Sequence, residues 1–243
     1  MAFISRKTGQ FTYFALQLGQ HDWRGKSVLD FGGNIGNILR DPDSTIEERR
    51  YTCIDVVRES VAKGEAAFPE AEWCFYDRYC FYFNPTGVPR LPLPDLGRQF
   101  DFILAYSVFS NTDRIDMLQL VDQLRGSLRD GGALAFTYID PASRALPGYD
   151  GNNFEWRLAR EGNDLRTRAS RDMVARAVAS DWCMLVNGTD LYVETDELPH
   201  YDEQRSCHVF YDSHYLQSLF PNATICPPVN GEMQHCCVIR KAA

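Results

Sequence analysis

The sequence predicts an α/β protein: a seven-stranded, mostly parallel sheet flanked by helices, with an N-terminal helix and a lid or cap inserted in the C-terminal half. Three observations carry this. Residues 27–31 (SVLDF) are a short apolar run broken at once by Gly32, Gly33 and Gly36, the pattern of a buried strand entering a tight turn that opens a helix. Residues 51–55 (YTCID) are a second such run, ending in an acid nineteen residues after Gly36. Further apolar runs of strand length then alternate with helical patterns as far as residue 139, as βαβ units require.

A chain of 243 residues can hold one α/β domain with a full core, and one domain over 1–243 is expected. Within it, 1–24 reads as a helical segment, 25–140 as the ligand-binding core, 141–211 as a cap, and 212–243 as the end of the sheet. Hydrophobic residues at 44% and charged residues at 24% are ordinary for a soluble protein. No apolar run approaches the roughly 18 residues of a membrane span. The N-terminus has no extended apolar stretch of the secretory kind, so a cytoplasmic location is expected.

The net charge is −8 and the basic residues are scattered, which argues against a surface that tracks nucleic acid. A small molecule is the more natural partner, with neither nucleic acid nor membrane expected and a homodimer left open. The eight cysteines show no C-x-x-C spacing and read as small buried hydrophobes in a reducing compartment. Adjacent Cys236 and Cys237 should face opposite sides of a strand, so no shared metal site is expected there, and none elsewhere.

Taken in order, Phe11, Phe14, Ala15 and Leu18 recur at helical spacing. This helix either packs as a plain amphipathic element or closes Tyr13 or Phe14 over a ligand. A helix over 58–68 is stopped by Pro69, and a third strand over 72–76 is followed by Asp77 and Arg78. The prolines of 79–97 forbid a helix or central strand, so this segment is an ordered loop. Residues 100–107 are the fourth strand, 117–128 a helix, 129–132 its ending turn and 133–139 the fifth strand. A long excursion over 142–168 and a helix over 171–180 follow. Strands 183–186 and 191–194 pair about Asn187-Gly188, Asp212 caps a helix ending at Leu219, and 224–226 and 234–240 complete the sheet.

A turn so poor in side chains lets backbone lie directly against a ligand. A dinucleotide fingerprint begun at Gly32 requires glycine where Asn34 and Asn37 stand. What remains, DFGGNIG over 30–36, resembles motif I of the class I S-adenosylmethionine-dependent methyltransferases, D/E-x-G-x-G-x-G, with Asn34 in the middle glycine place. Asn tolerates left-handed backbone better than other non-glycine residues. DFILAYSVFSN over 101–111 resembles that family's central motif, and 129–132 its L-x-P-G-G turn with Asp130 for proline.

The resemblance spans about 25–140. It implies a Rossmann-like sheet, S-adenosylmethionine as cofactor, and methyl transfer to a small molecule, in specialised metabolism. Under it Asp30 would hold the cofactor's amino group, with Gly32, Gly33, Asn34 and Gly36 lining the turn. Asp55, with Val56 beside it, would take the ribose hydroxyls; its plainer reading is a loop cap. Asp77 and Arg78 would stand at the adenine, and Ala105 and Tyr106 near the transferable methyl.

The acceptor pocket would draw on Tyr13, Phe14, Ser107, Phe109, Asn111 and Tyr211. Many relatives carry His where Asn111 stands, and Asn is no general base, so His208 and His200, with Tyr106, are the expected catalytic groups. Two alternatives keep the fold: a non-methylating use of the cofactor, such as intramolecular alkylation or cyclisation, and non-catalytic binding of it. An NAD-dependent oxidoreductase is disfavoured by the missing glycines and the lack of a Tyr-x-x-x-Lys pair.

Overall fold

Short apolar runs bounded by turn residues become strands throughout: β1 (Val28–Phe31), β2 (Tyr51–Asp55), β3 (Glu72–Phe75), β4 (Phe100–Ala105), β5 (Leu128–Tyr138), β6 (Met184–Asn187), β7 (Asp190–Val193), β8 (His208–Phe210), β9 (Thr224–Cys226) and β10 (His235–Arg240). The helices are α1 (Gln10–Leu18), α2 (Arg58–Ala67), α3 (Arg114–Gly126) and α4 (Ser213–Leu219). This computed structural model describes residues 9–80, 83–112, 114–140, 184–187, 190–193, 208–229 and 232–243; of 184–187, 190–193 and 208 it describes the backbone alone.

Seven strands form one sheet in the order β3-β2-β1-β4-β5-β10-β9. The first five are parallel, β10 runs antiparallel to β5, and β9 antiparallel to β10. The chain therefore reverses direction of assembly between β1 and β4, and the carboxyl ends of those two strands form the switch point at which open α/β sheets bind their ligands. Alternation along each strand divides the core in two. Leu29, Ile54, Ile103, Phe136 and Cys237 pack on one face with α3 and α4; Val28, Cys53, Leu104, Ala135 and Cys236 pack on the other with α1. Cys236 and Cys237 thus lie on opposite faces.

The expected helix after Gly36 does not form. Residues 32–40 are successive turns, closed by Gly36 N–H on the Gly33 carbonyl at 3.0 Å and Arg40 N–H on the Gly36 carbonyl at 3.2 Å. Gly32 and Gly36 (φ 77) and Asn34 (φ 55) are left-handed, a conformation incompatible with continuous helix, and Pro42 bars any extension. The turn expected over 129–132 is instead part of β5, which begins at Leu128 opposite Phe100 and shifts register before Phe102.

The hairpin about Asn187-Gly188 appears as β6 and β7, paired from Met184↔Val193 to Asn187↔Asp190, with β8 alongside β6. Asp212 caps α4 through Oδ1, which accepts the N–H groups of His214 and Tyr215 at 2.8 and 3.0 Å. The excursion over 142–168, the helix over 171–180 and most of the cap lie outside the described residues. Among the described residues, no helix is long and apolar enough to cross a membrane.

Candidate functional site

The glycine turn is bound into the sheet edge by backbone and by one acid. Gly32 N–H donates to the Ile54 carbonyl at 2.7 Å, carrying the β1–β2 ladder one step into the turn. Asp55 Oδ2 accepts the Asn34 N–H at 2.8 Å and its Oδ1 the Val57 N–H at 2.8 Å. At the end of β2, this carboxylate clips the turn to the start of α2. Burial raises the Asp55 carboxyl above its ordinary range, opposed by the amides of Val57 and Asn34. Val56 is half-buried beside it.

Asp30 lies beneath the turn. It is 2% exposed, and its Oδ2 accepts the Tyr51 hydroxyl at 2.8 Å. A Cβ at Gly33 would fall 2.5 Å from Asp30 Oδ2 and 2.9 Å from Cys53 Sγ, so the turn rests directly on this acid. Burial pushes the Asp30 carboxyl up to about 7, with the Tyr51 hydroxyl opposing and the Asp55 charge adding. Burial also raises the Tyr51 hydroxyl and Cys53 thiol well above their ordinary values. On the β4 side, a Cβ at Gly32 would meet Val108 Cγ2 at 2.5 Å, which shows how closely the two loops approach.

Beyond β3 the two residues grouped with adenine part company. Asp77 is exposed and accepts Asn84 Nδ2 at 3.0 Å. Arg78, expected at the cofactor, is instead turned into the protein: its guanidinium pairs with Asp116 Oδ1 at 2.9 Å, donates to Gln119 Oε1 at 3.0 Å and binds the Leu91 carbonyl. It ties the 76–98 loop to α3.

At the carboxyl end of β4, Ala105 is fully buried and the chain turns sharply at Ser107 (φ 58). Ser107 N–H donates to Thr137 Oγ1 at 2.7 Å, and Gln234 Nε2 to Ser107 Oγ at 3.1 Å. Asn111 Nδ2 donates to the Ser107 carbonyl at 2.8 Å, bracing its own turn. Tyr106 is half-buried, with Tyr13 and Phe14 edge-on to it at 5.8 and 6.1 Å between centroids. Its hydroxyl donates to Glu232 Oε2 at 2.9 Å, while the Tyr13 hydroxyl donates to the Gln234 carbonyl at 3.0 Å. Tyr13 and Phe14, each 1% exposed, therefore back Tyr106 rather than face solvent.

Two residues expected in the acceptor pocket are core. Phe109 is fully buried against Phe136 at 4.9 Å, and Tyr211 is fully buried with its hydroxyl on the Thr112 carbonyl at 3.0 Å. Both sit where the chain crosses the sheet face occupied by α3, so their aromatic bulk fills the core there. His200 lies outside the described residues, as does the side chain of His208, whose backbone opens β8 opposite Val186.

The structure adds groups that the sequence reading passed over. Thr137, Gln234 and Glu232 join the β4 rim, and alternation along β10 is the one local signal, since it puts Gln234 on the face of Cys236 and Val238. On the opposite face, His235 packs its ring 5.4 Å from Tyr138, and Ser213 binds the neighbouring Asp140 carboxylate with its hydroxyl and, at 3.1 Å, its N–H. Burial lowers the His235 imidazole below its ordinary value, with Asp140 opposing.

Comparison with known proteins bears on the same stretch of chain. Residues 29–134 match the family model described as a methyltransferase domain. No curated protein matches the chain. Among solved structures, an S-adenosylmethionine-dependent methyltransferase from Clostridium acetobutylicum ATCC 824 is similar at TM-score 0.52 and 13% identity, covering 98% of this chain and 92% of that one. DesVI of Streptomyces venezuelae is similar at TM-score 0.52 and 10% identity, covering 99% and 95%. The glycopeptide N-methyltransferase MtfA, solved with sinefungin, is similar at TM-score 0.51 and 12% identity, covering 97% and 93%. These likenesses establish the fold, and the methyltransferase-domain match runs from β1 into β5, the half of the sheet that carries the glycine turn and Asp55.

Proposed function

We propose that the chain transfers a methyl group from S-adenosylmethionine to a small-molecule acceptor. The observation that carries this is the Asp55–Asn34 bond at 2.8 Å, which sets a bare, left-handed turn beside a strand-end acid. A carboxylate has about four acceptor positions, so the two backbone amides on Asp55 leave capacity for ribose hydroxyls. The electrostatics fit the same group. The strand-end acid Asp55 stands at the turn, favouring a cofactor with a cationic sulfonium and amino group over an anionic pyrophosphate.

When bound, S-adenosylmethionine supplies an activated methyl and its own leaving group. The remaining work of the protein is alignment and exclusion of water. Asp55 and the turn would hold the ribose and methionine portions, and the end of β4 would define where the acceptor stands. Tyr106, fixed by Tyr13 and Phe14, supplies a flat wall with a polar tip, the composition of a small-molecule site. The net charge of −8 favours such an acceptor over nucleic acid, and we place the protein in the cytoplasm, in specialised metabolism.

Titration calorimetry tests the assignment. S-adenosylmethionine and S-adenosylhomocysteine should bind in the micromolar range and NAD should not. Tight NAD binding with no heat from S-adenosylmethionine would overturn the reading.

A further inference from the structure

At the carboxyl end of β4 the fold assembles a carboxylate that no local sequence pattern announces. Glu232 lies on the connection between β9 and β10, and its Oε2 accepts the Tyr106 hydroxyl at 2.9 Å across 126 positions of sequence. Both side chains are half-buried, so the pair belongs to the rim of the site rather than to the core. Both are also held. Behind Tyr106 stand the buried rings of Tyr13 and Phe14. The chain next to it is fixed by the Ser107 N–H on Thr137 and by Gln234 on Ser107 Oγ, and Gln234 is only two residues from Glu232.

A carboxylate on a rigid frame beside an aromatic ring is suited to a cation. An ammonium gives it a charge-assisted hydrogen bond and meets the ring through its π face, whereas a neutral hydroxyl gains neither charge term. We propose that the Tyr106–Glu232 pair is the docking point for a protonated amine on the acceptor, so that the small molecule carries a basic nitrogen on a flat apolar body. This rests on the methyltransferase function proposed above.

The test uses the full chain and two matched probes, 2-phenylethylamine and 2-phenylethanol, followed by ligand-observed NMR with S-adenosylhomocysteine present. The amine should bind about tenfold or more tightly than the alcohol, the range for a hydrogen bond gained to a charged group. In Glu232→Gln that preference should fall to near unity. The amide oxygen still accepts the Tyr106 hydroxyl, so a role limited to tying down the β9–β10 connection would leave the preference untouched. Should that variant not fold, added salt on the wild type should shrink the preference, because a half-buried pair is partly screened. Binding of S-adenosylhomocysteine itself is measured separately and should stay within about twofold in the variant. Its absence counts against the methyltransferase reading alone. Equal affinity for the two probes, binding of neither, a preference undiminished in Glu232→Gln, or one insensitive to salt overturns the ammonium site.

Discussion

The carboxylate of Asp55 and the backbone N–H of Asn34 meet at 2.8 Å, joining the end of one strand to the turn that follows its neighbour. Asp55 accepts a second amide, Val57 N–H, and is 7% exposed, so it has a structural role beside the cofactor role proposed for it. Asp55→Ala should therefore weaken S-adenosylmethionine binding by about 1.5–3 kcal/mol and also lower folding stability by about 1–3 kcal/mol, because two amides lose their acceptor. Calorimetry and urea denaturation on the same preparation check both. Unchanged cofactor affinity alongside lost stability would leave Asp55 as a loop cap only.

Asp30 makes stability depend on pH. Below about pH 4 its carboxyl is protonated in both folded and unfolded chains. As pH rises toward about 7, the unfolded chain ionises it while the folded chain keeps the proton, so this residue removes stability progressively, by roughly 4 kcal/mol at most. Above that range the penalty is complete. Asp30→Asn, which can still accept the Tyr51 hydroxyl, should gain on the wild type between about pH 4 and 7 and hold a constant advantage beyond. Denaturation midpoints that run parallel for the two proteins across this range would remove Asp30 as the source.

Gly33 is confined from below. A methyl group there would overlap Asp30 Oδ2 at 2.5 Å and Cys53 Sγ at 2.9 Å, and Asp30 is pinned by Tyr51. Gly33→Ala should destabilise the protein by about 1–3 kcal/mol, the usual cost of overpacking. A thermal melt reads this directly, and combining it with Asp30→Ala should recover part of the loss. Full stability in the single variant would mean that the turn lifts freely from the acid.

Arg78 and Asp116 form a pair whose side chains are 4% and 9% exposed, with Arg90 Nε 3.8 Å from the same carboxylate. Removing either partner strands a buried charge, so Arg78→Met or Asp116→Ala should each lose about 3–5 kcal/mol, and the double substitution less than their sum. Denaturant titration of the full cycle measures the coupling. If Arg78→Met instead kept its stability and lost S-adenosylmethionine affinity, Arg78 would belong to the cofactor site after all.

Much of the architecture was legible in the sequence because it is encoded within a few residues. Apolar runs marked β1 to β5, Asp212 announced the cap of α4, and simple alternation assigned Cys236 and Cys237 to opposite faces. The nineteen-residue interval from Gly36 to Asp55 likewise singled out the acid that meets Asn34. What only the tertiary structure decided is which side of the sheet each side chain takes and what reaches it from afar. Asp30 lies under the turn, Arg78 turns toward α3, and Phe109 and Tyr211 fill the core, because strand order and helix packing choose among faces that local periodicity leaves equivalent. Where left-handed glycines interrupt the backbone, even the helix after Gly36 is lost. The Tyr106–Glu232 contact joins residues 126 positions apart, and it exists because β10 inserts between β5 and β9, a relation set by the strand order of the sheet and written in no single stretch of chain.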